Sequence, residues 1–75
     1  MRYEIDGVAY TDARDVMDTY GASDYTLTDW QAILNGGPDA CREGNARAFP
    51  HLSPDDIETL TAAAMDHATQ MTGGK

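Results

Sequence analysis

The sequence predicts an α+β fold, a single small domain over residues 1–75 with an N-terminal β-hairpin packed on about three short α-helices. Three observations support this class: an Asp-Gly pair joins two short extended segments, two later segments repeat apolar residues at helical spacing, and Ser-Pro opens a third such segment. A chain of 75 residues buries only about 60% of the surface that its unfolded form exposes. Its core is therefore small, and a partner or a second copy forming a homodimer would bury more.

The first predicted element is a β-hairpin over residues 2–11. An Asp-Gly pair is typical of a two-residue hairpin turn, and this turn aligns Ile5 with Val8 and Tyr3 with Tyr10. All four apolar side chains then lie on one face of the hairpin. Because an isolated hairpin is at best marginally stable in water, we expect this face to pack on a helix or a third strand.

Two helices are predicted next, over residues 12–20 and 27–35. Thr11 is the predicted N-cap of the first helix, and Thr28 or Thr26 caps the second. Both segments repeat apolar residues at helical spacing. The predicted buried residues are Ala13, Val16, Met17 and Tyr20 in the first helix, and Leu27, Trp30, Ile33 and Leu34 in the second.

Residues 36–52 are predicted to form an irregular connection. A Gly-Gly pair ends the second helix, and Gly44, Asn45 and Pro50 all disfavour a new one. Pro38 leaves a short helix as the alternative, because proline is tolerated at the first helical position.

The third helix is predicted over residues 54–71, with Ser53 as its N-cap and a proline at its first position. Leu52 is placed to pack against Ile57 as a hydrophobic staple. Residues 73–75 are predicted to be a frayed tail. The predicted buried stripe consists of Ile57, Leu60, Ala64, Ala68 and Met71.

The chain is strongly acidic, with 13 Asp and Glu against five Lys and Arg and a formal net charge of −8. Such a charge repels phosphate backbones and attracts basic surfaces, so no direct nucleic-acid binding is expected. The only cysteine, Cys41, excludes an internal disulfide, fits a cytoplasmic location and serves most simply as a small apolar side chain. No segment is apolar for long enough to predict a membrane span.

No catalytic, metal or cofactor site is predicted. His51 and His67 lie outside zinc-binding spacings, and neither Gly-Gly pair precedes the Lys-Ser or Lys-Thr of a phosphate-binding loop. Ser53 is explained as a helix cap, and a chain this short offers little room for a substrate pocket. We therefore expect a binding protein rather than an enzyme.

The predicted partner-binding face is acidic. Asp12, Asp15 and Asp18 recur every three residues opposite the apolar stripe of the first helix, where Arg14 is placed to pair with Asp18. An ordinary solvated helix face is the competing interpretation of this pattern. Tyr25 is poorly placed for the core and is the predicted anchor. The full predicted face is Asp12, Asp15, Asp18, Asp24, Tyr25 and Asp29.

Residues 13–32, ARDVMDTYGASDYTLTDWQA, resemble the helix-turn-helix of phage and bacterial regulators. In that family the second helix enters the major groove and carries basic or amide side chains to the bases. The resemblance implies a small transcriptional regulator as an alternative function. Its DNA contacts would have to come from a dimer and from Arg2, Arg14, Arg42 and Arg47.

In size, charge and lack of a catalytic set, the chain resembles small acidic phage-encoded inhibitors of host defence, anti-CRISPR proteins among them. This resemblance is to a class of proteins, and it implies a negative surface that mimics DNA. Such a surface occupies the basic site of a nucleic-acid-binding protein or complex, for example a CRISPR effector, in the host cytoplasm. A non-catalytic phage assembly or accessory protein is a further alternative.

Overall fold

The structure is a computed structural model that describes residues 2–73. It confirms the α+β class, with an N-terminal hairpin and three helices. The predicted tail at residues 73–75 lies mostly outside the described residues. The helix α3 is central, because β1, α1 and α2 all pack on it. In chain order the elements are β1 (Tyr3–Ile5), β2 (Val8–Tyr10), α1 (Ala13–Thr19), α2 (Leu27–Ala48) and α3 (Pro54–Met71).

The hairpin has the predicted register, with Tyr3 opposite Tyr10 and Ile5 opposite Val8. Both turn residues have positive φ, 53° at Asp6 and 80° in the glycine after it, which suits the twist of the strands. The prediction that all four apolar side chains are buried is wrong for Val8, which is 49% exposed. Only β1 is covered by α3, whereas β2 contacts the end of α1 more weakly.

The helix α1 starts at Ala13, one residue later than predicted. Its N-cap is Asp12, which has an extended backbone and makes no side-chain capping bond, so the prediction of Thr11 as the cap is wrong. The helix ends before Gly21, where φ is 85°, and the next N–H, that of Ala22, donates to the Met17 carbonyl at 2.8 Å. This is the expected glycine-terminated C-cap.

The helix α2 starts with a reciprocal capping box that selects Thr26 over Thr28. The Thr26 hydroxyl accepts from the Asp29 N–H at 3.3 Å, and the Asp29 carboxylate accepts from the Thr26 N–H at 2.9 Å. Trp30 is buried as predicted. Leu27 is 50% exposed, contrary to prediction, because it occupies the first helical position and the buried stripe begins one turn later.

The predicted irregular connection over residues 36–52 is wrong for most of its length, because α2 resumes after a break and runs to Ala48. The break is at Gly37, whose φ of 82° and ψ of 172° are not helical. It separates a first arm, residues 27–36, from a second arm, residues 38–48. Pro38 opens the second arm, where its missing N–H is not needed and where it favours an extended residue before it.

Contacts with α3 stabilise the second arm. The Asn45 side-chain amide donates to the Thr61 hydroxyl at 3.1 Å, and Arg42 forms ion pairs with both Asp39 and Glu58. Asn and Gly have low helix propensity, but this is a weak preference that tertiary contacts override. The contacts supply the stabilisation that the local sequence lacks.

Replacing Gly37 with Ala is expected to lower the free energy of unfolding by about 1–3 kcal/mol, because an L-residue is strained in this conformation. A Cβ at Gly37 meets no atom within 4 Å, so the loss arises in the backbone alone. Gly36→Ala is the matched control: its Cβ would lie 3.5 Å from that of Ala40, an ordinary contact, and the helix should gain slightly. Urea denaturation of both variants measures the difference, and equal stabilities would contradict the assignment of the break.

The bounds of α3 are those predicted. The Ser53 hydroxyl accepts from the Asp56 N–H at 3.1 Å, and Leu52 and Ile57 are both buried as the predicted staple requires. Met71 is 48% exposed rather than buried, because it lies in the last turn, at the edge of the core. Within residues 2–73, no helix combines the length and the apolar character that crossing a bilayer requires.

Candidate functional site

The six residues of the predicted partner-binding face are all exposed. Asp12 caps α1, and Asp15 and Asp18 follow within the helix, so neighbours of this row are separated by three residues. Helical side chains at this spacing lie roughly 5–6 Å apart at Cβ. Asp24 lies in the turn between α1 and α2.

The arginines do not neutralise this row. Within residues 2–73, ion pairs join Arg2 to Glu4 and join Arg42 to two acids elsewhere in the fold. The predicted pair between Arg14 and Asp18 is not formed. The carboxylates of the α1 row therefore have no ion-pair partner in the described part of the chain.

Asp29 differs from the other predicted acids, because its carboxylate accepts the Thr26 N–H and completes the cap of α2. It has a structural role as well as an exposed charge. Asp18 and Tyr25, by contrast, both line the same cleft.

We call this space the tyrosine cleft; it has a volume of about 590 Å³ and lies where α1, the following turn, α2 and α3 meet. Its floor is aromatic. The ring centroids of Tyr25 and Trp30 are 5.1 Å apart, and those of Trp30 and His67 are 4.8 Å apart in an edge-to-face arrangement. The polar lining residues include Arg14, Asp18, Ser23, Tyr25 and His67.

His67 is the residue of the cleft that the sequence analysis missed. It is only 8% exposed, and its Nδ1 is buried without a hydrogen-bond partner among the described residues. The available signal was its position, three residues after Ala64 and seven after Leu60, which places it in the buried stripe of α3. A buried polar atom without a partner is uncommon and destabilising, so it requires an explanation.

Asp66 extends the acidic surface onto α3 and was also missed. The Tyr3 hydroxyl donates to its carboxylate at 2.6 Å. Burial, the hydrogen bond to Asp66, and the charges of Asp66 and Asp12 together raise the pKa of Tyr3 to about 12. Asp12 and Asp66 therefore lie close enough to one phenol to influence it together.

The Tyr3 contact predicts a loss of stability at alkaline pH. Tyrosine in the unfolded chain ionises near its ordinary pKa of 10.0, whereas folded Tyr3 has a pKa of about 12. The unfolded chain therefore releases this proton first, and the free energy of unfolding falls as pH rises from 10 to about 12. Tyr3→Phe should show a smaller fall in thermal stability over this range. Identical pH profiles for the two proteins would contradict the assignment.

A second groove, of about 540 Å³, runs between the two arms of α2 and α3 and includes Tyr20, Ile33, Cys41 and Phe49. Burial raises the pKa of the Cys41 thiol, although Asn45 and Arg42 partly oppose the shift. A thiol that stays protonated is a poor nucleophile, so Cys41 serves as a half-buried packing residue. Among residues 2–73, no three His, Cys, Asp or Glu side chains converge as a metal site would require.

The helices α1 and α2 do not form the compact pair that the helix-turn-helix resemblance implies. Each packs on α3, and contact between the two is slight. The exposed positions at the start of α2 and in the turn before it include Asp24 and Asp29, whose charges repel phosphates.

No known protein family, no characterised protein and no solved structure matches this chain. Function is therefore inferred from the acidic surface and the tyrosine cleft.

Proposed function

We propose that the protein is an acidic inhibitor that binds a basic nucleic-acid-binding protein or complex in the cytoplasm of a host cell, a CRISPR effector being one such target. Its carboxylates take the place of DNA phosphates in the target's binding site. The contact residues are Asp12, Asp15, Asp18, Asp24, Tyr25 and Asp29.

The observation that supports this proposal most directly is the exposed row of Asp12, Asp15 and Asp18, which has no ion-pair partner among residues 2–73. Side chains roughly 5–6 Å apart along a helix resemble in scale the charges of a DNA strand, which recur every few ångströms. A groove that has evolved to hold DNA would be attracted to this row.

The two kinds of contact have different roles in binding. Long-range attraction between opposite charges mainly accelerates association and selects basic partners. Tight binding also needs side chains that lose contact with water at the centre of the interface, and tyrosine is common among them. Tyr25 is 44% exposed and rests on Trp30, so it is both accessible and held in place.

The test uses purified RNA-guided effector complexes, with binding measured at salt concentrations from about 50 to about 300 mM, with and without target duplex DNA. We expect affinity to fall steeply with salt and the duplex to compete. The triple variant should weaken binding and reduce its salt dependence; it combines Asp12→Asn, Asp15→Asn and Asp18→Asn. Folding should be unchanged or slightly improved, because repulsion along α1 is relieved.

The matched control for this variant combines Asp6→Asn, Glu43→Gln and Asp55→Asn, which removes three exposed carboxylates outside the proposed face. It should change affinity little. The proposal is wrong if none of the purified effector complexes binds the protein, or if binding is insensitive to both salt and DNA. Unfolding of the triple variant would show that the row is structural.

A further inference from the structure

We propose that the tyrosine cleft receives one arginine side chain of the partner. This inference rests on the proposed function, since it specifies which group of a basic partner the surface recognises. Three features of the cleft match a guanidinium group: a carboxylate at its edge, aromatic rings in its floor and an imidazole nitrogen without a hydrogen-bond partner among residues 2–73.

The carboxylate is that of Asp18, which is exposed and is not paired with Arg14. It can accept two parallel N–H donors from a guanidinium, the geometry in which arginine and carboxylate bind most specifically. The formal net charge of −8 favours a cation in the cleft over an anion.

The rings of Tyr25 and Trp30 supply the second feature. A planar guanidinium stacks on aromatic faces, whereas a lysine ammonium is a compact and strongly hydrated charge. Trp30 is only 2% exposed and fixes the position of the partly exposed Tyr25 ring. The cleft therefore offers a stable aromatic surface beside the carboxylate.

His67 supplies the third feature. An imidazole nitrogen that does not carry a proton accepts a hydrogen bond, and a guanidinium has five N–H donors. Met71 also lines the cleft, one turn further along α3, and is 48% exposed. Because methionine is flexible, the cleft can widen at this side chain to admit a guanidinium beside His67. The partner would then supply a hydrogen bond that no residue in the described part of the chain makes to this nitrogen.

Arg14 also lines the cleft, one helical turn before Asp18, and carries the same charge as the proposed ligand. Its removal therefore distinguishes a cationic from an anionic ligand. Arg14→Gln should strengthen binding of an arginine side chain and would weaken binding of a carboxylate.

The experiment is a nuclear magnetic resonance titration of the full chain with N-acetyl-arginine amide, with the lysine, glutamine and glutamate amides as comparisons. We expect saturable shifts of the Trp30 indole and His67 ring signals with the arginine probe, and weaker ones with lysine. Asp18→Asn should weaken arginine binding about three- to fivefold, and the control Asp55→Asn less than twofold, because Asp55 lies outside both the cleft and the proposed partner-binding face. His67→Phe should weaken it severalfold and raise the melting temperature by removing the unpartnered nitrogen.

Equal losses of arginine binding in Asp18→Asn and Asp55→Asn would overturn the assignment, as would glutamate binding that requires Arg14. This comparison remains decisive even where His67→Phe fails to fold. The two proposals also fail separately. Effector binding that is sensitive to salt and DNA, together with equal arginine-probe affinities of Asp18→Asn and Asp55→Asn, would support the inhibitor and exclude the arginine site in the cleft. Arginine binding in the cleft without salt-sensitive effector binding would exclude the proposed inhibitor function and leave the arginine site in place.

Discussion

Trp30→Ala is expected to remove a large part of the protein's free energy of unfolding. Trp30 is 2% exposed, is among the largest fully buried side chains, and contacts the rings of Tyr25 and His67. Truncating a buried tryptophan to alanine costs about 3–5 kcal/mol. The free energy of unfolding of a domain is only about 0.05–0.15 kcal/mol per residue. The total for a chain of 75 residues is therefore small, and a loss of this size is a large fraction of it.

Leu27→Ala is the matched control, because it removes a large apolar side chain from the same helix at a position that is 50% exposed. It should change the free energy of unfolding by no more than about 0.5 kcal/mol. Urea denaturation should be monitored by far-ultraviolet circular dichroism, which can be used for both variants. Tryptophan fluorescence cannot, because Trp30→Ala lacks the fluorophore. Similar losses in the two variants would show that Trp30 is not the core anchor.

Tyr25→Ala should weaken binding to the effector by roughly 2 kcal/mol, or about thirtyfold. Its side chain combines 44% exposure with a fixed position on Trp30, and it lines the cleft beside Asp18. The free energy of unfolding should fall much less, because a partly exposed aromatic pair contributes only about 0.5–1.5 kcal/mol. Binding measured by calorimetry, together with a melting curve, separates the two effects.

Val8→Ala is the control for Tyr25, since Val8 is similarly exposed, at 49%, but lies on the hairpin away from the cleft. It should leave affinity within about twofold, as most surface truncations do. Tyr25→Phe keeps the ring and should retain most of the affinity. A Tyr25→Ala variant that binds as tightly as the natural chain would exclude this residue as an anchor.

The hairpin and α3 could be predicted from sequence because their signals are local. The Asp-Gly turn sets which residues pair across β1 and β2, and the Ser53 cap with the proline after it sets where α3 begins. These signals depend on backbone geometry and on hydrogen bonds between residues close in the chain. They do not require the rest of the protein to be known.

The second arm of α2 could not be predicted in the same way. Gly44 and Asn45 disfavour a helix, and the helix forms there because Asn45 and Arg42 contact α3. Those partners are 16 residues further along the chain, so no pattern within residues 36–52 reveals them. Val8, Leu27 and Met71 were misassigned for a related reason: periodicity gives the apolar face of an element but not how far the core extends along it.

Some features of the candidate site can likewise be predicted from sequence, and others need the tertiary structure. The acidic composition, the exposure of Asp12, Asp15 and Asp18 and the accessibility of Tyr25 follow from charge and helical periodicity. The lack of an ion pair between Arg14 and Asp18 depends on side-chain conformations. The approach of Asp66 to Tyr3 joins residues 63 positions apart, and the tyrosine cleft needs α1, α2 and α3 together.

Residue order alone was enough to establish an acidic α+β chain with its hairpin turn, the N-cap of α3 and the polar face of α1, because each depends on neighbours within a few residues. Tertiary packing decided that His67 is buried against Trp30, where no residue from 2 to 73 forms a hydrogen bond with its Nδ1, and that Asp18 and Tyr25 share a cleft. Such features arise where distant segments exclude water together, and their free energies depend on distances that local sequence patterns do not encode.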